Sequence, residues 1–240
     1  MLFAALLASA VLAFAALGVW QVERRGWKLE LIAAVDSRSK AAPVAAPGPG
    51  QPVGPGDAYR HVRVQGVWLH DRETLVQALT ELGAGSWVMT PLLTPAGWTV
   101  LVNRGFVPAD QADPARRPEA QASGPVTVTG LLRLTEPKGG FLRTNDPAQG
   151  HWFSRDVAAI AAFRTLAAPV PYFIDADATA NPGGYPVGGL TVIAFSNNHL
   201  VYALTWFSLA GLSLAGLVRV LRAGAPVRAA GPDPSSAPHA

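Results

Sequence analysis

A single histidine, His199, lies where a polar Ser-Asn-Asn junction meets an uncharged segment, residues 200–218, long enough to cross a bilayer. A helix over this segment places Tyr202 and Trp206 on the face of His199, at i+3 and i+7, and an asparagine of the junction can cap its first turn. A neutral imidazole among aromatic rings at a membrane surface suits axial ligation of iron in a flat, hydrophobic macrocycle. The alternative is an interfacial histidine that hydrogen-bonds to the domain or to Arg24.

A second group of aromatic and basic side chains follows the apolar residues 2–20 near the other end of the chain. Helical spacing places Trp20, Arg24 and Trp27 on one face, at i, i+4 and i+7, with Gln21, Arg25 and Lys28 beside them. Such residues at a membrane edge commonly act as interfacial anchors and contact lipid phosphates. The alternative is a cationic rim, formed by Arg24 and Arg25, for an anionic ligand at the membrane surface.

Signatures of common enzyme sites are missing from the sequence. It has no G-x-G-x-x-G, Walker A, G-x-S-x-G, H-E-x-x-H or C-x-x-C pattern, and its lack of cysteine excludes thiolate and iron–sulfur chemistry. Asp175 and Asp177 resemble a catalytic carboxylate pair but have no base or metal partner near them in sequence, so hydrolysis is the weakest alternative and we expect no enzymatic activity. The net charge of +3, largely from arginines near the C-terminus, gives no support for a nucleic-acid partner.

Two apolar segments, one near each end of the chain, predict a membrane protein, because each approaches the roughly 30 Å thickness of a bilayer core. The predicted organisation is a transmembrane helix over 1–22 that continues as a helix to about 35, a Pro/Gly-rich linker over 36–58, a domain over 59–196, a second transmembrane helix over 197–219 and a disordered cytoplasmic tail over 220–240. We expect the two helices to pack through small residues such as Ala8, Ala15, Gly211 and Ala215.

Alternating apolar residues predict a β-rich domain between the spans. The strand patterns cover 59–68, 87–93, 98–103, 126–134 and 170–174. Asp156 is the expected N-cap of a short helix over 156–166, whereas 71–82 is ambiguous and 190–195 resembles a further strand. Arg104 and Arg133 are expected to hold strand ends to loop carboxylates. The predicted fold class is an α+β, mainly antiparallel β domain enclosed by two terminal transmembrane helices.

Basic residues beside the second span set the expected topology. Arg219 and Arg222 follow this span, and no Lys or Arg precedes it back to Arg164, which places its C-terminal end in the cytoplasm. Basic residues after the first span indicate the opposite, but long domains translocate with little regard to charge. The sequence thus predicts an N-in, C-in protein of the bacterial plasma membrane with an extracytoplasmic domain. The alternative for residues 1–20, a cleaved signal peptide, lacks the basic start of such peptides.

Short motifs spread over residues 18–207 carry a resemblance to the Surfeit locus protein 1 family, in an order and spacing that fit its members. The matching fragments are Gly18-Val19-Trp20-Gln21 with Arg24 and Trp27-Lys28, Val64 with Gly66, Thr90-Pro91-Leu92, Val102-Asn103-Arg104-Gly105-Phe106-Val107-Pro108, Gly130-Leu131-Leu132-Arg133, Trp152 with Arg155-Asp156, Tyr172-Phe173-Ile174-Asp175, and Asn198-His199-Leu200 with Tyr202-Ala203 and Thr205-Trp206-Phe207. Phe106 departs from the family, which more often has Trp there.

The resemblance implies a non-enzymatic assembly factor for haem-copper cytochrome c oxidase, with two membrane helices around one extracytoplasmic domain. It implies subunit I of the oxidase as a partner, the haem a synthesis machinery as a further one, and haem a as a transiently bound cofactor with His199 as its iron ligand. We expect Trp20, Tyr202 and Trp206 to bound the haem cleft, with Arg24 or Arg25 near the propionates. The alternative is a membrane scaffold that stabilises a subunit I intermediate without binding haem.

Overall fold

The chain folds into two compact units, Met1–Leu31 with Phe195–Ala240, and Ile32–Ala194. The computed structural model describes residues 1–121, 123–139, 143–193 and 195–223. The helices are α1 (Leu2–Lys40), α2 (Val157–Phe163) and α3 (His199–Ala223). The strands are β1 (Val44–Ala45), β2 (His61–Trp68), β3 (Thr74–Thr80), β4 (Gly83–Leu93), β5 (Thr99–Pro108), β6 (Pro125–Leu134) and β7 (Pro169–Ala176).

Both α1 and α3 are long enough and apolar enough to cross a membrane. Only 6% of the most apolar window of each helix is buried within the protein. The core helix of a soluble protein would bury most of such a window, so these two helices are candidates for membrane spans. Two apolar helices with a sheet-rich domain between them agree with the predicted architecture.

A close contact between α1 and α3 lies at Gly18, a small residue that we did not predict to pack there. A Cβ atom added to Gly18 would lie 2.6 Å from the Phe207 ring, so a larger residue would displace this ring. Ala203 and Ala210 of α3 are buried. A Cβ on Gly211, by contrast, would meet nothing within 4 Å, so the predicted packing role of Gly211 is wrong. Helical phase explains the difference, since residue 211 lies one position, about 100°, beyond buried Ala210.

The second unit is built on one seven-stranded sheet with the order β1-β2-β6-β7-β5-β4-β3. An additional β2–β4 pairing closes five strands, β2, β6, β7, β5 and β4, into a barrel, with β1 and β3 outside the ring. Among the described residues, β1–β2 and β5–β7 are parallel and the other five pairings are antiparallel. The β4–β5 hairpin was predicted, and in the structure these two strands pair in antiparallel direction.

Strand alternation divides the apolar residues of the barrel between two cores. Val100 and Val102 of β5 join Tyr172 and Ile174 of β7 in one core cluster. The residues between them, Leu101 and Phe173, point to the other face of the strands and join a second cluster with Val157 and Ile160 of α2. The first cluster fills the barrel, and the second packs α2 on its outer face. Asp156 caps α2 as predicted, because its carboxylate accepts a hydrogen bond from the N–H of Ala159 at 3.1 Å.

Element boundaries in the first half of the domain differ from those predicted. Helix α1 continues to Lys40, and the Pro/Gly-rich segment contributes β1, whose Val44 pairs with Val62 of β2. The ambiguous stretch 71–82 contains β3, which pairs with β4 along its whole length. Of the predicted tail, residues 220–223 belong to α3 and residues 224–240 lie outside the described residues.

The apolar run at 190–195 was expected to be a strand, and the structure corrects this. None of the described residues in that run is in a strand. The preceding Val187 makes a single bridge to Phe106, and the chain then turns at Gly189, where φ is +74°. This bridge presses the backbone onto Gly105, where a Cβ would lie 2.1 Å from the Val187 carbonyl oxygen.

Candidate functional site

His199 is the first residue of α3, two residues after the predicted start at 197. The carbonyl of Asn198 accepts a hydrogen bond from the N–H of Tyr202 at 3.3 Å, which places Asn198 at the N-cap position. Tyr202 and Trp206 follow His199 on the same helical face. The sequence-based placement of the histidine at the beginning of the apolar helix is therefore confirmed.

The imidazole of His199 contacts α1 through Gln21, with 2.7 Å between Nδ1 and Oε1. An amide oxygen only accepts hydrogen bonds, so this contact requires the proton on Nδ1. In the neutral imidazole the lone pair then lies on Nε2, the nitrogen available to a metal. Neither of the two interactions considered from sequence, with the domain or with Arg24, is the one observed.

From the sequence, Gln21 was placed beside the face of Trp20 and Arg24 and in the family motif, but no role was predicted for it. One signal was present, since Gln21 is an uncharged polar residue directly after the apolar run that ends at Trp20. In the structure Gln21 is buried, whereas Trp20 beside it is 52% exposed. A buried amide needs a hydrogen-bond partner, and His199 is that partner.

The aromatic residues of the predicted site fall into two groups. Trp206 stacks on Phe14 of α1, with 5.6 Å between ring centroids and 23° between planes. Trp20 and Tyr202 keep more than half of their surface exposed. Trp206 is thus part of the contact between the two helices. Trp20 and Tyr202 have exposed aromatic surface and lie close in sequence to Gln21 and His199, respectively.

Basic side chains continue from Gln21 along α1. Arg24 and Arg25 follow Gln21 at i+3 and i+4 and therefore share its side of the helix. The Arg24 guanidinium lies 4.3 Å from the centroid of the Trp27 ring, a cation–π contact that orders it without neutralising its charge. Lys28 makes a similar contact with Phe195 at 5.2 Å. The cationic side chains stay available for an anionic group.

Metal coordination here would rest on one histidine. Within the described ranges there is no group of three or more His, Cys, Asp or Glu residues that could hold a metal ion. A structural zinc or calcium site needs several such ligands from the protein. A haem iron takes four ligands from its porphyrin and needs only one or two from the protein, so a lone His199 fits haem better than a free ion.

In the domain, Asp175 is the centre of a buried hydrogen-bond network. Its carboxylate, 3% exposed, accepts hydrogen bonds from Asn103 at 2.8 Å, Arg133 at 2.6 Å, Arg155 at 3.1 Å and Thr191 at 3.0 Å. The four donors occupy both oxygens of the carboxylate, two on each, so neither oxygen is left free to take a proton from a substrate. The network therefore gives no support to hydrolysis by a carboxylate pair.

Glu136 completes this network by pairing with Arg155. The Arg155 Nη2 lies 2.5 Å and its Nε 3.0 Å from the two carboxylate oxygens of Glu136. Burial lowers the pKa of Arg155, but the hydrogen bonds and charges of Glu136 and Asp175 outweigh it and raise the pKa above its ordinary value. A cavity of about 370 Å³ lies beside the network, with walls that include Leu79, Trp87 and Val192.

The two arginines predicted to hold carboxylates behave differently. Arg133 pairs with Asp175 at 2.6 Å and with Glu136 at 3.5 Å, so its prediction is confirmed. Arg104 bonds instead to the Ala120 carbonyl oxygen and to the amide oxygen of Asn181, so its prediction is wrong. Its position on β5 turns it toward a loop that supplies an amide rather than an acid.

Comparison with known proteins extends over both apolar helices and the domain. A family model described as the SURF1 family matches residues 8–211. The chain is 39% identical over 211 residues to Surfeit locus protein 1 of Homo sapiens, with 80% of this chain and 69% of that protein covered. It is 38% identical over 240 residues to the SURF1-like protein of Monosiga brevicollis, with 93% and 88% covered. It is 34% identical over 214 residues to Surfeit locus protein 1 of Takifugu rubripes, with 80% and 86% covered.

Proposed function

Because the chain belongs to the SURF1 family, we propose that it is a membrane-bound assembly factor for haem-copper cytochrome c oxidase. It assists the insertion of haem a into subunit I, and haem a is its cargo. The protein binds and releases haem a and makes or breaks no covalent bond. The family, the two apolar helices and the sheet-rich domain support this role.

The contact between His199 and Gln21 carries the haem part of the proposal. Histidines that ligate a metal commonly donate their other ring N–H to an oxygen acceptor, which fixes the tautomer and raises the basicity of the ligating nitrogen. Gln21 provides such an acceptor at 2.7 Å from Nδ1. His199 is thereby oriented with Nε2 as the iron-binding nitrogen.

Basic and aromatic residues near this pair suit the rest of the cargo. Haem carries two carboxylates on a flat apolar ring. Arg24 and Arg25, on the Gln21 side of α1, supply positive charge for the carboxylates. Trp20 and Tyr202 supply exposed aromatic surface for the ring.

The proposed setting is the bacterial plasma membrane, with both termini in the cytoplasm and the domain outside. Support comes from Arg219 and Arg222, which lie at the C-terminal side of the second apolar segment. In this setting His199, at the N-terminal end of α3, lies at the extracytoplasmic surface of the plasma membrane. The expected partners are oxidase subunit I and the haem a synthesis machinery.

The test is to purify the full chain from cells that make haem a and to record its absorption spectrum. We expect haem a to copurify with the native protein and to be lost from His199→Ala. His151→Ala is the matched control, because His151 is exposed in a loop of the domain and should leave haem content unchanged. Equal haem content and identical spectra for the native protein and His199→Ala would remove the histidine from the ligand role.

A scaffold that holds a subunit I intermediate without haem is the second candidate. One observation favours it: Leu79 and Leu82, around the tip of the β3–β4 hairpin, are 84% and 54% exposed, which gives an apolar contact for a protein partner. If the protein is such a scaffold, the double substitution Leu79→Ser and Leu82→Ser should reduce the capture of subunit I. In that case no haem a copurifies with the native protein. Haem a bound to the purified native chain would exclude this candidate.

A further inference from the structure

Of the two buried arginines among the described residues, Arg104 and Arg117, only Arg104 has no carboxylate partner. Arg117 pairs with Glu73 at 2.6 Å, and the half-buried Arg133 and Arg155 pair with Asp175. Arg104 is only 3% exposed, yet only its Nη2 makes hydrogen bonds, at 2.9 Å to the Ala120 carbonyl and at 3.0 Å to Asn181 Oδ1. Asn181 thus supplies a neutral amide where buried Arg117 has an acid.

The charge of Arg104 is poorly compensated. Its Nε and Nη1 are buried without hydrogen-bond partners. Glu73 favours its charge, but Glu73 is already paired with Arg117, whose positive charge opposes that of Arg104. Burial is the largest effect and lowers the pKa of Arg104 to about 10. The three groups carry a net charge of +1 in an environment where an unpaired ion is costly.

A cavity of about 210 Å³ adjoins this guanidinium. Arg104 and Asn181 both line it, together with Trp68, whose ring centroid lies 4.9 Å from the guanidinium carbon. Val128 and Ala176 give it an apolar side. The volume is below the roughly 300–1,000 Å³ of pockets for drug-sized ligands, so the space suits a small ligand with one charged group.

We propose that this cavity binds a small monocarboxylate, which pairs with Arg104 and takes the place of the Asn181 amide oxygen on Nη2. Exchange of a neutral amide for a carboxylate converts an ordinary hydrogen bond into a charge-assisted one. A single negative charge matches the net charge of +1. The short apolar tail of the acid then lies against Val128 and Ala176.

One charged group in the cavity wall, Asp177, opposes an anionic ligand. Asp177 accepts a hydrogen bond from the N–H of Thr179 at 2.9 Å, and the charges that act on Arg104 are those of Glu73 and Arg117, so we place the ligand carboxylate at the Arg104 side of the cavity. The site lies within the domain, so it is independent of the haem proposal for His199. It is a second ligand site, and its ligand is a free organic acid.

The test uses the purified full chain in detergent and measures its apparent Tm in sodium propionate. We expect a saturable rise over the same concentration of sodium chloride, of roughly 5 °C or more at about 100 Kd. Cholate, a carboxylate too large for the cavity, should not reproduce it. If chloride or phosphate raises the Tm as much as propionate does, the carboxylate site is refuted.

Asn181→Asp is the decisive variant, because it supplies a carboxylate of the same shape beside Arg104. It loses the hydrogen bonds that the Asn181 amide donates to the carbonyls of Arg104 and Pro186, so its own Tm is not the readout. We expect this variant to show no response to propionate. Asn181→Ala leaves Arg104 available and should keep the response. A propionate response in Asn181→Asp equal to the native one would overturn the proposal, even if variants of Arg104 itself fail to fold.

Discussion

Replacement of Gln21 by leucine isolates the role of the Gln21–His199 contact. Leucine fills a similar volume but cannot accept the hydrogen bond from Nδ1, which spans 2.7 Å in the native protein. Loss of such a supporting contact typically weakens metal binding by about 10- to 100-fold. This corresponds to about 1.4–2.7 kcal/mol. We expect the Kd for haem a of Gln21→Leu to rise by this factor.

The same substitution should have little effect on the stability of the helices. Hydrogen bonds between membrane helices contribute about 0.6 kcal/mol on average, and leucine is well suited to an apolar helix. Haem affinity should therefore fall by more than helix association does. Titration of the haem-free chain with haem a, followed by the absorption of the bound haem, gives the Kd, and thermal melting of the haem-free chain gives the stability.

Two further variants separate orientation of the histidine from simple packing. Gln21→Glu keeps an acceptor for Nδ1 and should retain haem binding, with a lower reduction potential because the imidazole becomes more basic. Val22→Leu, at an exposed neighbouring position, is the control that should change neither quantity. If Gln21→Leu binds haem a with the native Kd and spectrum, the contact does not orient an iron ligand.

Three other perturbations test the surrounding structure. Asp175→Asn removes a buried carboxylate and leaves the half-buried Arg133 and Arg155 with only Glu136 as a carboxylate partner, so we expect the domain to lose about 3–5 kcal/mol of unfolding free energy in urea. The part-exposed Asp177→Asn should change it by less than about 1 kcal/mol. Gly18→Leu places a side chain inside the Phe207 ring contact, so we expect it to weaken association of α1 and α3 in a cross-linking assay, and Phe207→Ala should restore it. If Phe207→Ala does not restore the association of α1 and α3 in Gly18→Leu, the packing of Gly18 against Phe207 is contradicted. Above about pH 10 the unfolded chain keeps the Arg104 proton that the folded chain releases, so this group makes stability rise with pH there. Between pH 9 and pH 11 the urea midpoint should therefore change more favourably in the native protein than in Arg104→Met. An equal change of the midpoint in both proteins would refute this prediction.

Local patterns were sufficient for elements whose residues repeat with a clear period. The apolar runs at the two ends predicted two long helices, and alternation predicted the strands around Val62, Val100 and Val128. The cap of α2 by Asp156 was predicted because capping depends on a single side chain and the backbone next to it. By contrast, 190–195 has strand composition but is not a strand in its described residues, since a strand also needs a neighbouring strand to pair with and composition does not specify one.

Partner identity was the feature that local patterns could not supply. Arg104 and Arg133 both lie on strands and both received the same prediction, yet one bonds to an amide and the other to Asp175. Their partners are 77 and 42 residues away in sequence, and nothing near either arginine distinguishes them. Which distant residue meets a given side chain follows from barrel closure, a property of the whole domain.

The sequence by itself determined the elements of this protein: two apolar helices, alternating strands, and a histidine placed at the start of the second helix. It determined them because helix and strand periods, apolar length and capping are properties of neighbouring residues. Only the tertiary structure decided that His199 meets Gln21 across 178 positions of the chain. It also decided that Arg104 is left without an acid. Both outcomes depend on which surfaces the packed helices and the closed barrel bring together, and buried polar groups can bond only to what that packing places beside them.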